Sequence, residues 1–422
     1  MDNHSRYYDA LETRTPEARE GALLARLPGL IAHAMEQAPG WARHLKGVEP
    51  EAIASRKALA ALPVLRKSQL KALQEADPPF GGFATVPPGR LGHVFMSPGP
   101  IFDPEGTGPD PWRAARALWA AGVRPGHLLQ NCFGYHLTPG AWMVDHAARK
   151  IGCAVIPAGT GQTEQQIEAI RTLRPDAYVG TPSFLRIIVE KARSLGLDIG
   201  NLKRALVAGE ALPGSLREWL KAHGVETVLQ WYGTADLGCV AYESEAMEGM
   251  ILEEDVLLEI VRPGTSEPVA DGEVGEVVIT RFDKTYPMIR FGTGDLSAVM
   301  AGPSPCGRTN VRIRGWLGRA DQTTKVRGMF VHPEQVAAAV ARHPEVVRAR
   351  LVVSGEMADD RMTFVCEVGN LPQGEAERSL AAAIGDTVRG LTKLRADDVR
   401  FVARGTLPND GKVIEDQRPV PG

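Results

Sequence analysis

The stretch Arg204-Ala-Leu-Val-Ala-Gly-Glu210 is a short apolar run that ends in a glycine turn, and the helical pattern Pro213–His223 follows it directly. A short continuous apolar strand, a turn and a helix form the repeating unit of a parallel sheet. Both faces of such a strand are covered, and its parallel neighbour is reached only by a crossover. The same unit recurs upstream. His127–Cys132 precedes the helix Ala141–Ile151; Ala154-Val-Ile-Pro157 leads through the glycine loop Gly159-Thr-Gly-Gln-Thr163 into a helix ending at Leu173; Ala177-Tyr-Val-Gly-Thr-Pro182 leads into Phe184–Leu195. A further helix pattern, Trp112–Ala121, comes before them. The expectation is an α/β domain whose ligand-binding groups collect at the carboxyl ends of parallel strands.

Towards the N-terminus, residues 1 to about 75 read as helical. Glu17–Glu36 places Leu23, Leu24, Leu27, Ile31 and Met35 on one stripe, and Pro28-Gly29 is expected to kink or split that helix. Tyr7, Tyr8 and Trp41 are expected to be packing aromatics. Residues 76–111 are dense in proline and glycine, a composition that predicts a long surface loop without regular structure. Towards the C-terminus, Val228-Leu-Gln-Trp-Tyr-Gly233 is followed by Val256–Val261, Gly275–Thr280 and Asp295–Met300, short runs that predict an antiparallel or barrel-like subdomain. The charged, glycine-bearing stretch Gly318–Pro333 then separates two patterns. Beyond it the order is strand (Val331), helix (Pro333–Arg342), strands (Val347–Ser354 and Met362–Val368), helix (Glu375–Lys393) and strand (Asp398–Val402), the order of a ferredoxin-like unit. Two domains are expected, 1–318 and 319–422.

The totals agree with folded domains. At 422 residues the chain exceeds one ordinary core. A net charge of −3 gives no reason to expect nucleic acid or an anionic membrane as partner. No apolar run approaches a membrane span, and the polar start Met-Asp-Asn-His-Ser-Arg lacks the apolar core of a secretion signal. The five cysteines, Cys132, Cys153, Cys239, Cys306 and Cys366, are scattered and form no Cys-x-x-Cys pair. They are expected to be buried, free thiols of a cytoplasmic protein.

Taken in order, a series of short motifs resembles the adenylate-forming acyl ligases, and most closely their phenylacetate–CoA ligase branch. The carriers are Gly134-Tyr-His, Ile156-Pro, Thr163-Glu-Gln-Gln, Pro175-Asp, Thr181-Pro-Ser, Ala208-Gly-Glu210, Tyr232-Gly-Thr-Ala-Asp236, Tyr286-Pro-Met-Ile-Arg290, Thr293-Gly-Asp-Leu296, Pro305-Cys-Gly-Arg-Thr309, the 318–333 stretch and Lys412. Each is weak alone, and their fixed order is specific. The resemblance implies that a carboxylic acid reacts with ATP to give an acyl-adenylate and pyrophosphate, after which the C-terminal domain rotates and CoA displaces AMP.

It also implies roles. Asp295 would hold the ribose hydroxyls through charge-assisted hydrogen bonds; read alone, it is equally a turn cap. Tyr232 and Gly233 would approach the nucleotide, with Gly233 permitting close backbone contact. Thr234 would donate to the α-phosphate, and Asp236, in place of the family's glutamate, would help hold Mg²⁺. Gly209, Glu210 and Ala211 would line the adenine, although Glu210 also reads as a cap for the next helix. Lys412 is the expected adenylation lysine; without the resemblance it reads as a solvated terminal lysine. Arg319 would contact nucleotide, Asp321 would be the hinge, and Lys325 and Gly328 would face CoA, the plain reading there being a solvated turn. Tyr135, His136 and Trp231 would line a pocket for an aromatic or arylacetic-type acid.

Two departures stand out. Where relatives carry a Ser/Thr/Gly-rich phosphate loop with a lysine, this chain has Ser97-Pro-Gly-Pro100 and Asp103-Pro-Glu105. Prolines remove N–H donors, acids repel phosphate, and no lysine is present. The positions matching a zinc cluster of some relatives are Ser244, Ile251, Ser304 and Cys306, so no structural zinc is expected. The cofactors implied are ATP, Mg²⁺ and CoA, with a homodimer as the assembly to test. Two other readings stay open: transfer of the activated acid to a carrier-protein thiol or an amine, and a degenerate relative that binds nucleotide or acyl-CoA without turnover.

Overall fold

The computed structural model describes residues 5–262, 265–320, 324–355, 359–407 and 413–418. It divides into two compact units, Met1–Leu317 and Gly318–Gly422.

The first unit is built on a nine-stranded sheet. Its spatial order is Ala154–Ile156, Leu128–Asn131, Ala177–Gly180, Arg204–Val207, Thr227–Thr234, Gly238–Tyr242, Met250–Leu252, Arg312–Ile313 and Val299–Met300. The first five are mutually parallel, as the strand–helix rhythm predicts, and the remaining pairings are antiparallel. Alternation along the parallel strands feeds two cores. Ala177, Val179, Leu206 and Leu229 pack beneath the helices Ala115–Ala120 and Gly140–Ile151, whereas Tyr178, Ala205, Val207 and Val228 pack against Thr163–Leu173, Pro182–Ser194 and Gly214–Ala222. Both faces are therefore dry, which is what a parallel sheet requires.

A second sheet has the order Leu65–Arg66, Met288–Ser297, Gly275–Arg281, Val256–Val261. Its last three strands form the expected antiparallel subdomain. The strand expected over Asp295–Met300 instead begins at Met288 and breaks after Ser297, which places Asp295 inside a long strand. The N-terminal helix Pro16–Gln37 is continuous through Pro28, contrary to the expected split. Leu23, Leu27, Leu30, Ile31 and Ala34, on both sides of the proline, share one core with the second sheet. That burial outweighs the lost backbone hydrogen bond, which costs about 3 kcal/mol.

Residues 76–111 are not one loop. His93–Ser97 and Ile101–Glu105 form an antiparallel hairpin whose turn is Pro98-Gly99-Pro100. Pro104 is tolerated because a two-stranded ribbon leaves the outer side of each strand without a ladder partner. The inward row His93, Phe95, Ser97 faces Glu105, Asp103, Ile101 across the ribbon.

The second unit has the sheet order Asp398–Ala403, Arg361–Val368, Val346–Ser354, Ile414–Asp416, with the helices Pro333–Ala341 and Gly374–Thr392. The expected succession of elements is present, but the sheet is assembled differently. Met329–Val331 pairs with Thr324–Val326 in its own hairpin and does not enter the four-stranded sheet. Val326 and Val331 still reach the unit's core. All five cysteines are buried and free. Among the described residues no helix is long and apolar enough to cross a membrane.

Candidate active site

The strand Thr227–Thr234 delivers Tyr232 and turns tightly into Gly238–Tyr242. A Cβ at Gly233 would lie 2.5 Å from the Gly238 carbonyl oxygen, so this glycine is required by the chain's own hairpin, whatever binds there. The Tyr232 hydroxyl donates to Asp295 Oδ2 at 2.8 Å, and the Trp316 indole N–H donates to Asp295 Oδ1 at 3.0 Å. Thr293 Oγ1 accepts the Asp295 amide at 3.1 Å and donates to the Val277 carbonyl at 3.1 Å, which ties the position to the neighbouring strand. Asp295 is thus a nearly buried carboxylate that accepts a neutral donor on each oxygen, the kind of acceptor a ribose diol would meet. Trp316 was not singled out from the sequence; its place just after Arg312–Ile313, beside a glycine, is the signal that was there to read.

Thr234 is half-buried, and its hydroxyl oxygen accepts the Leu237 amide at 3.2 Å, leaving the hydroxyl proton for a ligand oxygen. Asp236, in the same turn, points inward. It is fully buried, and its Oδ2 accepts the Lys67 ammonium at 2.5 Å. Its Oδ1 is buried with no hydrogen-bond partner, as are both carboxyl oxygens of Asp103. Burial first, and then the charge of Asp236, push the Asp103 carboxyl well above its ordinary value. That direction favours the protonated carboxyl and lessens the repulsion of phosphate that its identity alone suggests. Glu105 is paired too: Oε1 meets His93 Nδ1 at 2.6 Å and His146 Nε2 at 3.1 Å, and Oε2 accepts Trp112 Nε1 at 2.5 Å. Burial would raise its pKa, but the donors from His146, His93 and Trp112 outweigh burial and hold it below the ordinary value.

Gly209, Glu210 and Ala211 lie at the carboxyl end of Arg204–Val207, with Gly209 in the left-handed region at φ +83°. Glu210 does cap a helix, though not the next one. Its Oε1 accepts the Ser183 amide at 2.8 Å, at the start of Pro182–Ser194. Tyr135 and His136 share the loop after Leu128–Asn131. The Tyr135 hydroxyl accepts Asn131 Nδ2 at 3.0 Å and its ring meets Trp142 edge-on, whereas His136 is exposed. Trp231 is buried in the core beneath Gly140–Ile151, and its indole N–H has no partner among the described residues. In the second unit Arg319 is half-buried, and Lys325 Nζ lies 5.8 Å from the Phe330 ring. Gly328 sits at φ +83° in the two-residue turn between paired strands, beside Arg327 at φ +48°. Arg327 is held by Asp360 and Asp397 rather than solvated. Asp321 and Lys412 lie outside the described residues.

Other motifs prove structural. Gln166, from Thr163-Glu-Gln-Gln, donates to the carbonyls of Ala158, Gly159 and Gly161 and so shapes the glycine loop. Arg290 is buried against Glu259 in a bidentate pair at 3.0 Å. Arg308 and Thr309 bind Glu12 and Arg14 of the N-terminal segment.

Comparison with known proteins agrees with the motif series. Residues 134–282 match the family of AMP-binding enzymes. A phenylacetate–coenzyme A ligase of Thermus thermophilus is 32% identical over 380 residues, 86% of this chain and 84% of that protein. The Escherichia coli phenylacetate–coenzyme A ligase is 30% identical, covering 79% and 78%. A crystal structure of 2-hydroxyisobutyryl-CoA ligase with 2-HIB-AMP and CoA superposes with a TM-score of 0.81 at 26% identity, covering 99% of this chain and 95% of that one. The chain belongs to the adenylate-forming ligases, in their phenylacetate–CoA ligase-like branch. It is an AMP-forming acid–CoA ligase that works through an acyl-adenylate. Members of the family use ATP and CoA.

For a ligase of this family the hairpin 93–105 is the unusual part, and the structure answers two objections to it. Burial shifts the Asp103 carboxyl towards its protonated form, and three donors hold Glu105. A lysine absent from the hairpin arrives from elsewhere: Lys67, at the start of the helix Lys67–Ala76, reaches the turn that carries Asp236.

Proposed function

We propose that this ligase activates an aromatic or arylacetic-type acid on the first unit, residues 1–318, and transfers it to CoA after the second unit, 319–422, swivels about Asp321. The observation that supports the reading is the Tyr232–Asp295–Trp316 cluster near the carboxyl end of Thr227–Thr234, a carboxylate that accepts from neutral donors and is suited to a ribose. Thr234 donates to the α-phosphate. Gly209, Glu210 and Ala211 line the adenine. Lys412 stabilises charge on the acid and the α-phosphate during adenylation, and Arg319 supports the nucleotide. Lys325 and Gly328 face the thiol substrate.

Mg²⁺ takes hard oxygen ligands, and the unpaired buried Oδ1 of Asp236 is such a donor, so Asp236 is the residue that would hold it. The ion would supply neutralisation of the polyphosphate. Lys67, already at Asp236, is the cation placed to exchange that carboxylate for a phosphate oxygen.

Tyr135 and Trp231 support the aromatic pocket, with His136 at its rim. A second reading of the acid, a small 2-hydroxy acid, is favoured by the likeness to 2-hydroxyisobutyryl-CoA ligase and by the unpartnered Trp231 N–H, a donor for a substrate oxygen. We infer a cytoplasmic protein, with a homodimer as the assembly to test.

The test is acid-dependent pyrophosphate release with ATP and Mg²⁺, with and without CoA, over phenylacetate, substituted benzoates and 2-hydroxyisobutyrate. Release with thioester formation supports the reading, and the preferred acid decides between pockets. Release with thioester formed only on a carrier protein, or with an amide product, moves the acceptor. Silence across the panel with nucleotide bound marks a degenerate binder. Lys412→Ala should lower adenylation by about 10²–10³-fold and leave thioester formation from supplied acyl-adenylate largely intact; equal loss of both steps would remove Lys412 from its role.

A further inference from the structure

The hairpin that stands where relatives keep a phosphate loop carries a second chemistry. Its inward row brings His93 and Glu105 face to face as cross-strand partners, and the helix Gly140–Ile151 adds His146 from the side. One ligand-type atom from each of the three residues lies within 4.8 Å of the other two. We propose that these three residues form a binding site for a divalent transition-metal ion of the zinc class, which fastens the hairpin to the helix.

The donor set is the first argument. Two imidazole nitrogens and one carboxylate oxygen suit Zn²⁺, and three protein ligands leave the fourth tetrahedral position to water. An ion with bonds near 2.1 Å sets its ligand atoms roughly 3.4 Å apart. The present contacts of Glu105 Oε1, 2.6 Å to His93 and 3.1 Å to His146, are hydrogen bonds that open to that spacing with side-chain movement alone. Orientation is the second argument. Glu105 is buried, and its other oxygen is held by the Trp112 indole N–H, the outer support that metal-bound carboxylates normally have. The His93 ring lies 4.4 Å from Trp142 and 5.6 Å from Phe95, centroid to centroid, so its direction is set by packing. Access is the third: His93 and His146 are partly exposed above a buried carboxylate, which gives an ion a way in.

The site is separate from the four positions matching the zinc cluster of some relatives, Ser244, Ile251, Ser304 and Cys306. It bears on the ligase through the hairpin, because Asp103, next to Asp236, stands on the same inward row as Glu105. An ion binding the three ligands would hold that row against the helix.

The untagged full-length protein, stripped with a chelator and dialysed, is titrated with zinc sulfate by calorimetry and with cobalt chloride by visible absorption. The expected result is one equivalent of Zn²⁺, cobalt bands of a four-coordinate site, and a rise in the thermal midpoint with Zn²⁺. His93→Ala and His146→Ala should each abolish the equivalent and the midpoint shift, while His33→Ala, at a half-buried histidine of the helix Pro16–Gln37, keeps both. Absence of binding and of a midpoint shift in the wild-type protein would overturn the proposal. So would undiminished binding in folded His93→Ala and His146→Ala proteins, which would leave the three residues as a hydrogen-bonded cluster only.

Discussion

Tyr232 and Asp236 stand four residues apart in one hairpin, yet they anchor clusters of opposite character. At Tyr232, the Asp295 carboxylate accepts from a hydroxyl and an indole, both neutral donors. At Asp236, one lysine faces two buried acids, and three of the four carboxyl oxygens have no hydrogen-bond partner. The second cluster compensates its charge internally, through an ion pair and a neighbour whose burial favours its protonated form. The contrast is between a carboxylate that accepts from neutral donors and one paired with a lysine.

The largest effect that would sharpen the contrast is on stability. Lys67→Met leaves Asp236 as an uncompensated interior charge and should cost about 3 kcal/mol, read from denaturant unfolding. The double variant Lys67→Met/Asp236→Asn should recover most of it. A single-variant cost below about 1 kcal/mol, the level of a surface pair, would mean that the interior does not depend on this ion pair. Next comes Asp295→Asn, which sets an amide donor against one of two existing donors. Charged hydrogen bonds contribute about 1.5–3 kcal/mol, so the KM for ATP should rise roughly 10- to 100-fold with little change in unfolding. An unchanged KM would remove Asp295 from the nucleotide site.

How much of this could be read from the sequence follows from the same two clusters. The parallel sheet was legible because runs such as Arg204–Val207 are apolar on both faces, a pattern with no other cheap explanation. Asp295 was legible through its local motif. Lys67 was not: it lies 169 residues from Asp236, and only the packed fold brings them together. Glu210 was half legible, since capping was foreseen while its partner, 27 residues upstream, was not. The hairpin 93–105 was misread because Pro98, Pro100 and Pro104 look like breakers. Two occupy its turn, and the third sits on a ribbon that tolerates a missing donor. The position of Met329–Val331 outside the four-stranded sheet was also hidden, because element order does not specify strand order.

A smaller effect belongs to Trp316. Trp316→Phe keeps the ring and removes one neutral donor to Asp295, a loss of about 1 kcal/mol. The KM for ATP should rise by roughly fivefold, and an effect as large as that of Asp295→Asn would mean the indole touches the nucleotide itself.

The smallest effect tests the protonation of Asp103, and its sign is fixed by the direction of the shift. The folded carboxyl is raised above its ordinary value of 3.8, so the folded protein keeps a proton that the unfolded chain releases. That contribution is fully present below the unfolded value and is lost as pH rises through the folded one. Asparagine has no such proton to lose. Asp103→Asn and the wild-type protein should therefore unfold alike near pH 4, and the variant should become progressively the more stable of the two as pH rises towards neutrality. Parallel stability curves across that range would show Asp103 ionised in the folded state. The hairpin would then present a negative charge to the polyphosphate, and only Lys67 would remain to offset it.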